Sequence, residues 1–243
     1  MLKAAIEKIQ ALCAPHLFTV DGESFLADKD GKAVQIRPAL DLVQSIDLSS
    51  LDAMILFIKT EASEDREMVY ITIPDHKTVK SFTHPYENLR NEREYLYTAY
   101  ATDVPGWNDK VTLSFEEAQI ALRTRFQSTP DTDYALKLLS DITTGGKVTF
   151  NDNGIATSVI TKKGIDLQAN ATIRPIITLK PYRTFQEVEQ PASQFLIRVS
   201  ERGITFTEAD GGMWKLEARK TVKEYLEAAL ESEVAAGKVA IAL

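Results

Sequence analysis

Two short segments near the C-terminus alternate apolar and polar residues and can pair in only one register. They cover residues 194–199 and 204–208, and the four residues between them suit a tight connection. This spacing sets Ile197 opposite Phe206, so that the apolar side chains share one face. Arg198 falls on the opposite face. The pattern therefore predicts an antiparallel β-hairpin with one buried side.

The rest of the chain combines similar hairpins with a few helices. A capping box of Ser114 and Glu117 predicts the start of one helix, and Pro130 suits the first turn of the next. An amphipathic pattern from Lys215 to Ala236 predicts a long last helix. The predicted strands cover residues 17–27, 32–37, 68–73, 78–83, 94–102, 147–150, 155–161, 172–179, 184–188 and 239–243, and the other predicted helices cover 2–13 and 51–60.

The order of these elements determines the fold class. The helices are grouped between runs of hairpins, which favours an α+β fold over repeated βαβ units. We therefore expect mainly antiparallel β-hairpins with a central helix pair and a long C-terminal amphipathic helix. Gly145-Gly146 is the candidate domain boundary. Residues 1–143 would form a mixed α/β part and residues 144–243 a hairpin-rich part closed by the last helix, although one continuous domain fits the same pattern.

Charge is distributed unevenly along the chain, whose formal net charge is −7. Residues 1–160 contain 16 Lys and Arg and 24 Asp and Glu, whereas residues 161–243 contain 12 and 11. The excess negative charge of the first part opposes the approach to phosphate groups, so strong nonspecific nucleic-acid binding is not expected. An acidic solvated surface explains this excess, and an acidic face that imitates DNA is the alternative.

Three features concern the cell compartment. No stretch of the sequence approaches the ~20 consecutive apolar residues that a membrane helix needs, so no membrane partner is expected. The N-terminal segment is polar every few residues, unlike a secretory signal. Cys13 is the single cysteine, which excludes internal disulfides and fits a reducing compartment. The sequence therefore predicts a cytoplasmic protein.

Motifs for metal and catalytic sites fail on their spacing. His16, His76 and His84 have no partner at ligand spacing. The turns Asp28–Gly31 and Asn151–Gly154 look like part of a calcium loop, but the acidic residues of its first and last positions are missing. No nucleophile elbow or complete phosphate loop is present. We therefore expect no cofactor, no metal ion and no enzymatic activity. A cryptic enzyme is the alternative, because catalytic residues can come from distant positions in the sequence.

Residues 179–217 are the part of the chain densest in aromatic, proline, glycine and charged residues. Two interpretations of this segment compete. In the first, arginines and carboxylates form a structural network that fixes strand register around an aromatic core. In the second, exposed Tyr, Trp and Arg side chains form a contact surface, since these residues dominate binding hot spots. The candidate residues for either role are Tyr182, Arg183, Phe185, Glu187, Gln190, Arg198, Glu208, Asp210 and Trp214.

A distinctive string of residues runs through the same segment. It consists of Pro181-Tyr182-Arg183-Thr184-Phe185, Glu187-Val188, Gln190-Pro191, Ser193, Phe195, Arg198, and Glu208-Ala209-Asp210-Gly211-Gly212 before Trp214. Through these residues the chain resembles the YfdQ-like family of uncharacterised phage and prophage proteins, most closely over residues 174–217. The resemblance implies a small phage protein of the host cytoplasm, encoded beside replication or recombination functions. It implies no established activity and no catalytic residues.

These observations favour a non-enzymatic phage or prophage accessory protein. It would bind a host protein in nucleic-acid metabolism or defence, with its acidic part toward a basic partner. A self-assembling structural protein, such as a ring, filament or shell, is the first alternative. The apolar tail Val239–Leu243 could dock on a neighbouring copy, and we expect a homo-oligomer on that ground. A recombination or replication accessory protein, or a cryptic enzyme, is the remaining alternative.

Overall fold

The computed structural model describes residues 3–5, 16–27, 32–36, 44–61, 68–85, 92–107, 111–144, 147–152, 157–163, 166–200 and 202–243. Most of the predicted helix 2–13 and the predicted turns Asp28–Gly31 and Gly145-Gly146 lie outside these residues. The chain divides into two compact units, Met1–Leu42 and Val43–Leu243. This division does not coincide with the boundary predicted between residues 143 and 144, which the structure does not test.

Short strands make up most of the regular elements among the described residues. The strands are β1 (His16–Val20), β2 (Glu23–Ala27), β3 (Ala33–Ile36), β4 (Ile46–Leu48), β5 (Val69–Asp75), β6 (Thr78–Thr83), β7 (Tyr95–Tyr100), β8 (Thr112–Leu113), β9 (Lys147–Asp152), β10 (Thr157–Lys163), β11 (Asp166–Thr172), β12 (Ile176–Leu179), β13 (Ser193–Ser200), β14 (Gly203–Glu208) and β15 (Val239–Ala242). The helices are α1 (Leu51–Glu61), α2 (Phe115–Arg125), α3 (Pro130–Thr144), α4 (Trp214–Ala229) and α5 (Glu231–Ala235). The fold is α+β.

The first unit contains a three-stranded antiparallel sheet in the order β1-β2-β3. Residues 17–27, predicted as one strand-like segment, form a hairpin instead. Asp21 and Gly22 form its turn and have positive φ angles of 51° and 83°. An Asp-Gly pair favours this tight connection, because Asp and Gly tolerate the left-handed backbone conformation. The rings of Phe18 and Phe25 stack on the sheet with centroids 5.6 Å apart.

The second unit contains a five-stranded mixed sheet in the order β15-β5-β6-β7-β4. Strand β6 is antiparallel to both of its neighbours, β5 and β7, whereas β15 and β4 add to the two edges in parallel. Helices α1 and α4 pack on this sheet. The core between them includes Leu51 and Met54 of α1, Ile73 of β5, and Val222 and Leu226 of α4, all of them fully buried.

A second core lies under a four-stranded antiparallel sheet in the order β12-β13-β14-β8. Ile197 pairs with Phe206, which is the register that the sequence predicted for this hairpin. Helices α2 and α3 contribute Leu122 and Leu139 to the same core. The N-terminus of α2 has the predicted capping box, in which the Ser114 hydroxyl accepts a hydrogen bond from the backbone N–H of Glu117.

A further antiparallel sheet has the order β11-β10-β9. The two cores each contain residues from both sides of residue 143. In particular, the loop between β12 and β13 carries Phe185 and Val188 into the first core, whereas Leu179 and Phe195 at its ends belong to the second. This loop therefore connects the two cores of the unit. No described helix is long and apolar enough to cross a membrane.

Candidate functional site

The loop between β12 and β13 is held in shape by the side chain of Gln190, which is 1% exposed. Its Oε1 atom accepts hydrogen bonds from the backbone N–H groups of Arg183, at 2.8 Å, and Thr184, at 3.2 Å. Its Nε2 atom donates to the carbonyl oxygens of Phe185, at 2.8 Å, and Val188, at 3.3 Å. All the hydrogen-bonding capacity of one amide is therefore used inside the loop.

Arg183 projects from this loop into the protein and is 5% exposed. Its Nη1 atom lies 2.7 Å from Oε1 of Glu208 on β14. Its guanidinium carbon lies 4.3 Å from the ring centroid of Trp214, the first residue of α4. The Trp214 indole N–H donates to the other oxygen of Glu208 at 3.2 Å. Arg183, Glu208 and Trp214 thus form a closed triangle of charge-assisted and cation–π contacts.

The turn before α4 sets the position of Trp214. Asp210 accepts hydrogen bonds from the Ser193 hydroxyl at 2.6 Å and from the backbone N–H of Gly212 at 3.0 Å. Gly211 and Gly212 have φ angles of 65° and 82°. Glycine adopts this left-handed conformation without steric cost. Asp210 therefore joins the start of β13 to the start of the helix.

Three further residues of the loop contact the five-stranded sheet or its helix. The Glu187 carboxylate accepts a hydrogen bond of 2.7 Å from the backbone N–H of Leu51 at the start of α1. Phe185 is buried in the first core. The hydroxyl of Thr184 donates to the backbone carbonyl of His76 in the turn between β5 and β6. The loop therefore fixes this turn and this helix beside Arg183.

Arg198 is the exception among the candidate residues. One interpretation of the sequence placed Arg198 in a structural network of arginines and carboxylates, but its side chain is exposed. Strand alternation explains the difference, because Glu208 lies two residues after Phe206 and therefore on the same side of β14. The buried arginine of the network is Arg183. Glu189 is also exposed and pairs with Lys180.

A cleft of about 380 Å³ opens over the Arg183–Trp214 stack, and we call it the Arg183 cleft. Arg183 and Trp214 are buried, whereas Tyr182, His76 and Lys77 are half-buried and Lys215 is exposed. The lining residues are His76, Lys77, Gly106, Trp107, Tyr182, Arg183, Glu208, Trp214 and Lys215. Seven of the nine candidate residues named from the sequence lie in the cleft or its supporting loop: Tyr182, Arg183, Phe185, Glu187, Gln190, Glu208 and Trp214.

The sequence did not indicate the other lining residues. His76 and Lys77 were placed in a turn, Lys215 in a helix, and Trp107 lies in a segment without periodicity. The ring of His76 meets the Trp214 ring edge-on, with centroids 4.7 Å apart. The Trp107 ring packs against Phe126 with centroids 4.8 Å apart. Its indole N–H is buried and has no hydrogen-bond acceptor among the described residues.

The charged side chains that line the cleft are three cations, Lys77, Arg183 and Lys215, and one carboxylate, Glu208. Burial lowers the pKa of His76 below its ordinary value of 6.5, and this is the largest effect on the ring. The neighbouring charges of Lys77, Lys215 and Arg183 lower the pKa further, while Asp75 acts in the opposite direction. The histidine is therefore neutral at physiological pH, next to three cationic side chains.

Two further observations concern metal binding and the comparison of this chain with known proteins. Within the described residues, no group of three or more His, Cys, Asp and Glu side chains could hold a metal ion. No protein-family model, curated protein or solved structure matches this chain. The resemblance to the YfdQ-like family therefore stays a prediction.

Proposed function

We propose that this chain is a non-enzymatic accessory protein that binds another protein through the Arg183 cleft. Following the sequence resemblance, the proposal places it in a phage or prophage, acting in the host cytoplasm on a protein of nucleic-acid metabolism or defence. The single observation that carries the binding role is the convergence of aromatic and basic side chains from distant segments on one open cleft. Hairpins, the helix pair α2–α3 and the C-terminal helix α4 would serve as its scaffold.

The composition of the cleft supports a binding role. Trp, Tyr and Arg are the residue types that contribute most to protein–protein binding energy. Arg183 and Trp214 are held in place by Glu208, so binding would cost little additional side-chain ordering. Arg183 and Trp214 are thus fixed in the cleft, while Tyr182 and Lys215 are accessible to a partner. The structural network and the contact surface considered for this segment are compatible, because different side chains serve each.

The tail offers less support for self-assembly than the sequence suggested. Strand β15 pairs in parallel with β5 of its own chain, from Val239 opposite Val69 to Ala242 opposite Thr72. Val239 is 3% exposed. The apolar residues that were expected to dock on a neighbouring copy are therefore accounted for within one chain. The hypothesis of a homo-oligomer therefore no longer has the apolar tail as its support.

Site-specific photo-crosslinking tests the proposed function. The full-length protein would carry p-benzoylphenylalanine in place of Tyr182, inside the cleft, and be irradiated in host lysate. A matched variant would carry it in place of Tyr95, which is 54% exposed on β7 and outside the cleft. We expect one discrete protein adduct from position 182 that is missing from position 95, and its identity would come from mass spectrometry.

Two results would contradict the proposal. One is the lack of any protein adduct at position 182. The other is the same set of adducts at both positions, because nonspecific collisions would produce that pattern. Wild-type protein added in excess should compete the specific adduct away, which separates a saturable site from random labelling.

A further inference from the structure

We infer that the Arg183 cleft recognises a carboxylate group of a polypeptide, held between the ammonium groups of Lys77 and Lys215. This inference rests on the proposed function and names the chemistry that the cleft would bind. It differs from the expectation drawn from composition, in which the acidic part of the chain faces a basic partner. The cleft is a basic feature of an acidic protein.

The two lysines are available to an incoming anion. Lys77 comes from the turn between β5 and β6, and Lys215 is the second residue of α4. Neither forms an ion pair with any described residue, whereas lysines elsewhere in the second unit do. The paired ones are Lys180 with Glu189, Lys220 with Glu217 and Lys223 with Glu227.

The positive charges converge on one place. Lys77, Lys215 and Arg183 all lie near enough to His76 to act on its ring, although they belong to three separate elements. Arg183 is neutralised by Glu208, so the two ammonium groups supply the net charge of the cleft. Asp75, which has the largest single charge effect on the ring, is exposed and accepts a hydrogen bond from the backbone N–H of Lys77. It does not line the cleft, so Lys77 and Lys215 carry the charge that would attract an anion into it.

A carboxylate is the anion that an unmodified polypeptide partner supplies, through Asp, Glu or its C-terminus. Glu208, with 22% of its side chain exposed, is part of the cleft wall and is paired with Arg183. The net charge of −7 disfavours a polyanion at long range. A single carboxylate thus gains from both lysines, and inorganic phosphate is the anion to compare with it.

The remaining surface of the cleft suits a polypeptide. Trp107 and Tyr182 provide flat apolar walls beside the lysines. The buried indole N–H of Trp107, without an acceptor among the described residues, could donate to a carboxylate oxygen. A volume of about 380 Å³ lies within the usual range of ligand pockets. It accommodates one acidic side chain with its neighbour, or a free C-terminus.

Fluorescence titration of the full-length protein tests the inference. Trp107 and Trp214 are the two tryptophans of the chain and both line the cleft, so indole emission reports on this site. The probes are blocked Gly-Glu-Gly and Gly-Gln-Gly peptides, free-acid and amidated Gly-Gly-Gly, and inorganic phosphate, all at one ionic strength. We expect a saturable change with the glutamate peptide and none with the glutamine peptide. The free-acid and amidated Gly-Gly-Gly pair separates a side-chain carboxylate from a C-terminal one.

Variants of the lysines localise the effect. The double variant Lys77→Ala/Lys215→Ala should raise the Kd of the glutamate peptide about tenfold, since each partly exposed charge contributes modestly. Lys137→Ala, at an exposed position of α3 outside the cleft, removes one positive charge and should leave the Kd unchanged. Both lysines of the double variant lie outside the buried cores, so the fold should be retained.

The following results overturn the inference. An equal response to phosphate would show a general attraction for anions, and an equal response to the glutamine peptide would show that charge is not recognised. If no probe acts while the adduct at position 182 persists, the carboxylate chemistry is wrong and the proposed function stands. If both experiments fail, both proposals fail.

Discussion

The Nη1 atom of Arg183 lies 2.7 Å from Oε1 of Glu208, in a position where the arginine side chain is only 5% exposed. The guanidinium plane also covers the ring of Trp214. Removal of one member of a buried pair leaves the other charge poorly solvated, which is far more costly than loss of a surface pair. The network therefore stabilises the junction of β14, α4 and the loop between β12 and β13.

Arg183→Ala should lower the free energy of unfolding by about 3 kcal/mol, because Glu208 loses its ionic partner and the Trp214 ring loses the guanidinium group that stacks on it. Urea denaturation monitored by circular dichroism measures this change. Arg198→Ala is the matched control, since Arg198 is exposed on the neighbouring strand. It should change the free energy by no more than about 0.5 kcal/mol. Equal losses for the two variants would refute the assignment of Arg183 as the buried arginine.

Arg183 and Arg198 show which features of the structure could be predicted from the sequence and which could not. Strand register was predictable, because alternation between Ile197 and Phe206 acts over a few residues. Alternation also places Glu208 on the side of Phe206 and away from Arg198. Arg183, however, lies in a loop without periodicity. Its burial depends on Gln190 and on contacts with α4, which no local pattern encodes.

The cleft was not predictable for a related reason. Its lining residues come from five separate stretches of the chain, around His76, Trp107, Arg183, Glu208 and Trp214. Each stretch has an ordinary local interpretation, as a turn, a loop or a helix start. Only the packing of the two cores brings them together. By contrast, the capping box at Ser114 was predictable because the interacting groups are three residues apart.

Glu187→Ala tests the contact between the loop and α1. The carboxylate accepts a hydrogen bond from the first backbone N–H of the helix, that of Leu51, and lies at the positive end of the helix dipole. We expect a loss of about 1 kcal/mol in the free energy of unfolding, as for removal of an N-cap side chain. Thermal unfolding at two salt concentrations measures it. Glu189→Ala, at the exposed carboxylate two residues later, should leave stability unchanged.

Gly203→Ala should be strongly destabilising. Gly203 has φ of 134°, and an added Cβ would lie 2.0 Å from the carbonyl oxygen of Leu113. Strand β8 would have to move away from β14, so we expect a loss of about 3 kcal/mol from strain and overpacking together. Gly211→Ala is the control, because its φ of 65° carries strain but its Cβ would enter open space. It should cost about 1 kcal/mol, and equal costs in urea denaturation would contradict the contact with Leu113.

Deletion of residues 239–243 should destabilise the protein. The truncation removes the buried side chain of Val239 and the parallel pairing with β5. Burial of one valine alone is worth about 1.5–3 kcal/mol. Deletion of Leu243, which is 44% exposed, is the control. Unchanged stability of the longer truncation, together with a smaller particle in light scattering, would restore the assembly role of the tail.

The last prediction concerns the pH dependence of stability. Burial and the charges of Lys77, Lys215 and Arg183 lower the pKa of His76 in the folded protein below 6.5. The unfolded chain therefore binds a proton more readily than the folded one as pH falls. The contribution of a neutral His76 is fully present above the unfolded pKa and is lost as pH falls through the folded value. His76→Phe, which keeps an aromatic ring against Trp214, should unfold with a weaker pH dependence below pH ~6.5.

Proton NMR titration of the His76 ring connects this effect to the cleft. In the Lys77→Ala/Lys215→Ala variant the pKa of His76 should rise, because two of the three cationic neighbours are gone. It should stay below 6.5, since burial is the larger cause. A saturating glutamate peptide should raise the pKa of the wild-type ring in the same direction, because a bound carboxylate favours the protonated form. If the peptide binds and the pKa of His76 does not change, the carboxylate lies elsewhere than between the two lysines.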